Sequence, residues 1–329
     1  MRSLLYQGTS DPNRTGAANA PGINPAWNVM SESAPTADTR QDADSTPDGA
    51  PLTGLRAEID AMDDEIHDLL MRRAGIVERV AREGGKSGVM IRPGREASIL
   101  RRLMRRHDGS LPRATVIRIW RELFAGALMI EGGLTVAVAD GKEADMPAIA
   151  REHFGPLTPL RRHRSTSQAL ADLTGRIAQI AVLPIPSDAD DEQAAWWVGL
   201  MHGGKPRLSI VAKLPFWGLR PDGVPQTPGY AVAALTPDPS GADRGLLGLE
   251  ISPEMSTARI AGMLKEAGLA VRSLLPRRGV RHAAGYALAE VEGLVAADDP
   301  RLARLTGFPA PPVVLGGYAL PIDGGGEAA

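Results

Sequence analysis

The chain contains no cysteine, which excludes disulfide bonds, thiolate catalysis and zinc sites built from cysteine. It has no apolar run of about eighteen residues, and the apolar patch in its start, MRSLLYQGTS, is too short for a signal peptide. We therefore predict a cytoplasmic protein. A formal net charge of -2 argues against a nucleic-acid partner. Lysine is also scarce, and the five lysines are Lys86, Lys142, Lys205, Lys213 and Lys265.

The length and composition leave room for two or three small domains, because 43% of the 329 residues are hydrophobic. The first 50 residues contain few large apolar groups and show no periodic pattern. Residues up to about 132 have a helical apolar period, and the rest has short apolar runs that alternate with helical stretches. We predict a multidomain chain with a disordered leader at 1–50, an all-α helical domain at 51–132, a small α/β domain at 133–218, a linker at 219–243, a ferredoxin-like βαββαβ domain at 244–322 and a disordered tail at 323–329.

The helical domain is predicted to contain three helices, the first ending near residue 83, the second at 95–107 and the third at 114–131. Arg73 interrupts an apolar stripe on the first helix. The stripe has three-to-four-residue spacing and comprises Ile59, Met62, Ile66, Leu69, Leu70, Val77 and Val80. An unpaired charge on a packed face is costly, so either a carboxylate from another helix or an anionic ligand must meet Arg73.

Four more charged residues lie at the helix starts or on the apolar faces of this domain. Arg56 opens the first helix, and Arg95 and Glu96 begin the second. Glu131 continues the apolar face of the third helix, which comprises Val116, Ile119, Leu123 and Ala127. One interior site with these groups would suit a small dianion, because arginine binds carboxylates in a fork and glutamate accepts from a hydroxyl. The alternatives are an ion pair between Arg73 and Glu131, or solvated charges at the start of the second helix.

The motifs LRAEIDAMDDEIHDLLMRR, RPGREASILRRL and IRIWRELFAGALMIE resemble the helical, type II chorismate mutases that are fused to prephenate dehydratase in bacterial phenylalanine biosynthesis. The resemblance covers residues 55 to 131. It implies an intertwined all-helical homodimer that converts chorismate to prephenate by a pericyclic rearrangement, with no cofactor and no metal. Catalysis then consists of holding the substrate in a chair-like shape and stabilising charge on the breaking ether bond.

The resemblance also implies a role for each charged residue. Arg56 would bind a substrate carboxylate from the partner chain, Arg73 would bind one from within the site, and Arg95 would lie beside them. Glu96 would accept from the substrate hydroxyl. Glu131 stands where the family has Gln or Glu facing the ether oxygen, and a glutamate there must be protonated to donate, which favours activity at lower pH.

Two positions depart from the family pattern. The family's lysine at the ether oxygen should fall near Gly84, and the nearest lysine is Lys86, which lies about 200° away around a helix. Lys86 can act there only if the helix ends early and the glycines fold the chain back. Ala127 stands where the family often has serine, so substrate binding should be weaker, without loss of the reaction.

The region 133–218 resembles a truncated prephenate dehydratase domain. Its Thr-Arg-Phe triplet is replaced by Pro206, Arg207 and Leu208, so the hydroxyl expected to assist loss of water is missing and we predict no dehydratase activity. The region 244–322 resembles the ACT regulatory domain, with LGGYALP as its closing strand and altered phenylalanine-binding motifs. That domain could bind an aromatic amino-acid effector or serve only in assembly.

Two other features are assigned structural roles. His153 and His163 lack a nearby carboxylate or second histidine at ligand spacing, so we expect packing or surface roles rather than metal binding. Trp196 and Trp197 are expected to fill a core. The leading interpretation is a chorismate mutase, and the alternatives are a bifunctional chorismate mutase/prephenate dehydratase and a non-catalytic regulatory or scaffold partner of aromatic amino-acid enzymes.

Overall fold

The structure is a computed structural model that describes residues 49–83, 91–140, 145–187, 195–277 and 285–323. The chain divides into two units, residues 1–60 and 61–329. The helices are α1 (Gly49–Glu83), α2 (Pro93–Arg106), α3 (Arg113–Ile130), α4 (Met146–Phe154), α5 (Thr166–Thr174), α6 (Trp196–Met201) and α7 (Thr257–Glu266). The strands are β1 (Val136–Ala139), β2 (Leu160–His163), β3 (Ile180–Pro184), β4 (Ser209–Leu214), β5 (Gly229–Ala233), β6 (Asp243–Ile251), β7 (Val271–Arg277), β8 (Gly285–Glu292) and β9 (Val313–Ala319). No described helix is long and apolar enough to cross a bilayer.

The three predicted helices of the first domain are confirmed, and their ends lie within two residues of the prediction except at the start of α1. This helix begins at Gly49 rather than at Arg56. The apolar stripe of α1 is not packed, contrary to the expectation of a core face. Ile66 and Leu69 are 53% and 57% exposed. Within this chain, α1 therefore presents an apolar surface to solvent along its length.

The buried face of α3 differs from the predicted one. Val116 is buried as expected, but Ile119 is 45% exposed, and Leu123 and Ala127 are only half-buried. The face that packs comprises Val116, Ile117, Arg121, Phe124, Ala125 and Leu128. Because α3 is apolar on both faces, its period alone does not reveal which face packs against α2 and α4.

A nine-stranded mixed sheet follows the helices, in the order β2-β1-β3-β5-β4-β9-β6-β8-β7. Strands β1, β2 and β3 are parallel, and α4 and α5 connect them, as predicted for an α/β unit. Strand β2 was not predicted, because its sequence LRRH has no apolar alternation. The predicted linker at 219–243 contains β5, which is fully buried between β3 and β4. The strand was not predicted because its short sequence, GYAVA, lies among prolines and glycines.

The second half of the sheet has the strand order β9-β6-β8-β7, in which every neighbouring pair is antiparallel. The predicted order of strand, helix, strand and strand is present, but the second predicted helix is only a 3-10 turn at Leu302–Arg304. Gly316 joins the two halves, since its φ is 121° and a Cβ there would lie 2.2 Å from the carbonyl oxygen of Ile210. Only glycine permits this approach of β9 to β4.

Four apolar clusters of described residues position the helices on the sheet. Trp196 and Trp197 of α6 are buried in one of them, against β4, β5 and β9, which confirms their predicted core role. Another cluster holds α2 and α3 against Phe216 and Ala319. These two helices therefore share a core with the sheet.

Candidate active site

The start of α2 is fixed by a carboxylate from a distant part of the chain. Arg92, which precedes the helix, provides no side-chain cap. The two carboxylate oxygens of Asp238 instead accept from the backbone N–H groups of Gly94 at 2.9 Å and Arg95 at 3.0 Å. These N–H groups have no partner within the helix, so the carboxylate caps it in the manner of an ordinary N-cap residue. The first turn, with Arg95 and Glu96, is thereby tied to the connection between β5 and β6.

Glu96 and Arg121 form an ion pair that joins α2 to α3. Nη1 of Arg121 donates to Oε2 of Glu96 at 2.8 Å, and the two side chains are 7% exposed for Arg121 and 16% for Glu96. A charge-assisted hydrogen bond of this length in a buried place is strong and directional. The carboxylate of Glu96 is thus oriented by α3.

The guanidinium of Arg121 is enclosed by aromatic groups on its other sides. Nη1 lies 3.3 Å from Nε2 of His153, and the guanidinium carbon lies 4.9 Å from the ring centroid of Phe216. Burial, together with the charge of Arg121, places the pKa of His153 well below its usual value. The imidazole is therefore neutral, and its Nε2 accepts from the arginine.

Burial also raises the pKa of Glu96. The charge and hydrogen bond of Arg121 oppose this shift, whereas the charges of Asp238 and Glu131 add to it. The carboxyl group of Glu131 is thus close enough to repel that of Glu96. Carboxyl groups with raised pKa values are common where a site exchanges or shares protons.

Arg73 approaches α3 from α1. Its Nη1 donates to the backbone carbonyl of Leu123 at 3.4 Å, and its half-burial lowers its pKa without removing its charge. Leu123, Ala127 and Glu131 follow one another at four-residue spacing, so they line one side of α3. The structure therefore places Arg73 beside the row that contains two of the predicted site residues.

The remaining predicted residues are placed as follows. Arg95 is exposed on the first turn of α2, and Glu131 is the residue at which α3 ends. Arg56 is exposed on α1, within the unit that comprises residues 1–60. Gly84 and Lys86 lie outside the described residues, so the predicted use of Lys86 stays a prediction.

Arg121 and Asp238 are site residues that were not predicted from the sequence. Arg121 could have been found, because it lies at four- and three-residue spacing between Ile117 and Phe124, on an apolar face. Asp238 gives no such signal, since it is 144 residues from Gly94 along the chain.

The histidine prediction needs one correction. His163 does have a carboxylate partner, since its Nε2 lies 2.7 Å from Oδ2 of Asp172, which also accepts from Nε of Arg161 at 2.6 Å. The sequence hid this contact because α5 brings Asp172 back against β2. Across the described ranges, the His, Asp and Glu side chains form no group of three that could hold a metal ion.

The triplet Pro206, Arg207 and Leu208 lies just before β4. Arg207 is exposed, and its Nη2 donates to the carbonyl of Val314 at 2.9 Å. It lines an open cavity of about 430 Å³ together with His202 and Glu250.

Comparison with known proteins agrees with the resemblance seen in the helical segment. Residues 55–132 match the family model described as chorismate mutase type II, so this part of the chain is a chorismate mutase type II domain. A bifunctional chorismate mutase/prephenate dehydratase of Stutzerimonas stutzeri is 27% identical over 145 residues, which are 42% of this chain and 40% of the relative. The chain thus spans less than half the length of that relative.

Two solved structures resemble the chain more weakly. One, described as GqqA, a novel type of quorum quenching acylases, is 18% identical with a TM-score of 0.44 and covers 56% of this chain and 94% of its own. Prephenate dehydratase from Streptococcus mutans is 13% identical with a TM-score of 0.41 and covers 57% of this chain and 98% of its own. TM-scores below 0.5 support no inference about activity.

Proposed function

We propose that the protein is a chorismate mutase, which rearranges chorismate to prephenate within a single molecule. The observation that carries the proposal lies within the domain at 55–132, where Arg73 contacts α3 at the carbonyl of Leu123, one turn before Ala127, and α2 presents Glu96. The arginine supplies positive charge for a dicarboxylate substrate, and the glutamates supply acceptors or donors for its hydroxyl and ether oxygens.

The rearrangement requires no nucleophile. The ether C–O bond breaks while a C–C bond forms in the same molecule, so the protein has to hold the substrate in its reactive shape and stabilise charge on the ether oxygen. Arg73 and the partner copy's Arg56 would bind the carboxylates, with Arg95 beside them, and Glu96, held by Arg121, would accept from the hydroxyl. Protonated Glu131 would donate to the ether oxygen, with or without help from Lys86.

The exposed stripe of α1 supports a homodimer. Leu69, Ile66, Ile76 and Val80 each expose about half of their side chains on one long helix. A row of this kind on a helix of 35 residues is a typical helix–helix interface. A second copy is the occupant that we propose, because the family pattern assigns Arg56 to the partner's site.

The sheet region is proposed to assist assembly or regulation rather than dehydration. Pro206 stands where a hydroxyl would be needed, so phenylpyruvate should not form at neutral pH. The bifunctional alternative predicts that it does form. The strands β6 to β9 are compatible with an ACT-like module, and an aromatic amino-acid effector is the ligand that we propose to test there.

The experiment compares Arg73→Ala with Arg72→Ala, a matched control because Arg72 is the exposed neighbour on the same helix. We expect Arg73→Ala to lower kcat/KM for chorismate by at least about 100-fold with an unchanged circular dichroism spectrum, and Arg72→Ala to change it less than about threefold. Equal activity of both variants would contradict the proposal.

A non-catalytic partner protein is the second candidate, and the glycine at position 84 is the observation that favours it. It predicts that the folded wild-type protein binds chorismate or another enzyme of the pathway without turnover. Prephenate formation by the purified chain excludes this candidate.

A further inference from the structure

The segment between β5 and β6 holds α2 at two separate points. At the start of the helix, Asp238 caps the N–H groups of Gly94 and Arg95, and its carboxylate lies 3.6 Å from Nε of Arg92. The two backbones are in close contact, since a Cβ on Gly94 would lie 2.0 Å from the carbonyl oxygen of Asp238. The helix start is therefore packed directly on the segment.

The second point lies about two turns further along α2. Nη1 of Arg101 donates to Oγ of Ser240 at 2.7 Å, and Nη2 donates to the carbonyls of Ala242 at 3.0 Å and Leu320 at 2.6 Å. Asp243 fixes Ser240 in turn by accepting from its backbone N–H at 3.0 Å. The segment is thus a strap between α2 and the C-terminal half of the sheet.

We propose that Asp238 is a positioning residue of the mutase site, and that through it the C-terminal half of the sheet sets the places of Arg95 and Glu96. This inference rests on the proposed function. Asp238 acts on the backbone of the first turn and does not have to touch the substrate. Its effect is transmitted because Arg95 donates to it directly and Glu96 is the next residue.

The geometry gives Asp238 an effect on Glu96 that Arg101 does not share. Glu96 is held from its side chain by Arg121 and from its backbone by the turn that Asp238 caps. A shift of the first turn of α2 would move the carboxylate of Glu96, whereas Arg121, which is buried on α3, would stay in place. Misplacement by about 1 Å can lower a rate by about 100-fold.

Asp238 also acts on Glu96 by charge. The charged groups that face Glu96 are Arg121 and Glu131 from α3 and Asp238 from the strap, and Arg121 is itself faced by Glu152 and His153 from α4. Removing the negative charge of Asp238 lowers the pKa of Glu96. If ionised Glu96 accepts from the substrate, the acid limb of the pH–rate profile moves to lower pH.

The test compares Asp238→Asn with Arg101→Ala in the full chain. Asparagine keeps the size of the side chain and one acceptor but removes the charge and the second acceptor. Arg101→Ala removes the other attachment of α2 to the strap, so it controls for general loosening. We expect Asp238→Asn to lower kcat about tenfold and to move the acid limb of kcat/KM to lower pH, and Arg101→Ala to lower the melting temperature at least as much with kcat within about twofold.

A wild-type kcat and acid limb in Asp238→Asn would overturn the inference, as would the same change of both quantities in Arg101→Ala. Failure of the wild-type chain to turn over chorismate would instead refute the proposed function. Hydrogen exchange of the Gly94 and Arg95 amides then tests the positioning part alone. Exchange about tenfold faster in Asp238→Asn than in Arg101→Ala supports it, and equal exchange in the two variants overturns it.

Discussion

Arg121 is buried inside the protein, next to buried His153 and to Glu96, whose side chain is 16% exposed. Glu96 receives its hydrogen bond, and His153 stays neutral beside it. Such a pair contributes less to stability than its short distance indicates, because both charges have lost their water. Removal of one partner is nonetheless costly, since the other charge stays behind.

The first prediction concerns this pair. Arg121→Ala should lower the free energy of unfolding by about 3 kcal/mol, because it leaves a buried carboxylate without its cation. Arg118→Ala, on the exposed side of the same helix, should change it by less than about 0.5 kcal/mol. Urea unfolding followed by circular dichroism measures both, and equal stability of the two variants would contradict the buried ion pair.

The second prediction concerns Glu131. A glutamate donates to the ether oxygen only when protonated, whereas glutamine donates at every pH. Between about pH 5.5 and pH 7.5, Glu131→Gln should therefore lose less activity than the wild-type protein loses. The measurement is kcat/KM over this range. A parallel fall of activity in both proteins would show that the donor is another group.

The ends of the second and third helices could be predicted from the sequence, but the buried face of the third helix could not. Apolar period and the absence of internal proline define the bounds of α2 and α3. The burial of Ile117 and Phe124 rather than Ile119 depends on the neighbouring α2 and on Phe216, which the sequence of α3 does not encode. Strand β5 could not be predicted either, because it has only five residues and prolines and glycines surround it.

The third prediction concerns α1. Leu69→Asp places a charge on the exposed apolar stripe and should convert the proposed dimer to a monomer with loss of turnover. His67→Asp adds the same charge about 200° away around the helix and should leave the dimer intact. Sedimentation velocity at micromolar concentration distinguishes the two. A wild-type protein that sediments as a monomer would refute this interface.

The fourth prediction concerns the contact between α3 and α4. Because the pKa of His153 is lowered by burial and by Arg121, the unfolded chain binds a proton below about pH 6.5 that the folded protein does not. The stability contributed by neutral His153 is therefore present above that pH and is lost as pH falls below it. His153→Gln lacks this loss.

The measurement is the melting temperature of both proteins at pH 7.5 and 5.5. The raised pKa of Glu96 acts in the opposite direction in both proteins, so the difference between them isolates His153. An equal shift in wild type and His153→Gln would contradict the assignment of a neutral imidazole.

Across the whole molecule, the sequence alone predicted the features that depend on residues close together along the chain. The motifs around Arg73, Glu96 and Glu131 indicated the helical domain, and the match at 55–132 confirms it. The contacts between that domain and the sheet could not be predicted, because the Asp238 cap and the Arg101 contacts join residues 139 to 219 positions apart. They tie α2 to the sheet within one unit.

Chorismate consumption by the purified protein, with prephenate identified before any acid treatment, is the measurement that decides whether the protein is a chorismate mutase. We predict turnover that increases from about pH 7.5 towards 5.5, with prephenate as the sole product at neutral pH. A folded protein that leaves chorismate unchanged throughout this range would contradict the claim and would favour a non-catalytic partner of the pathway.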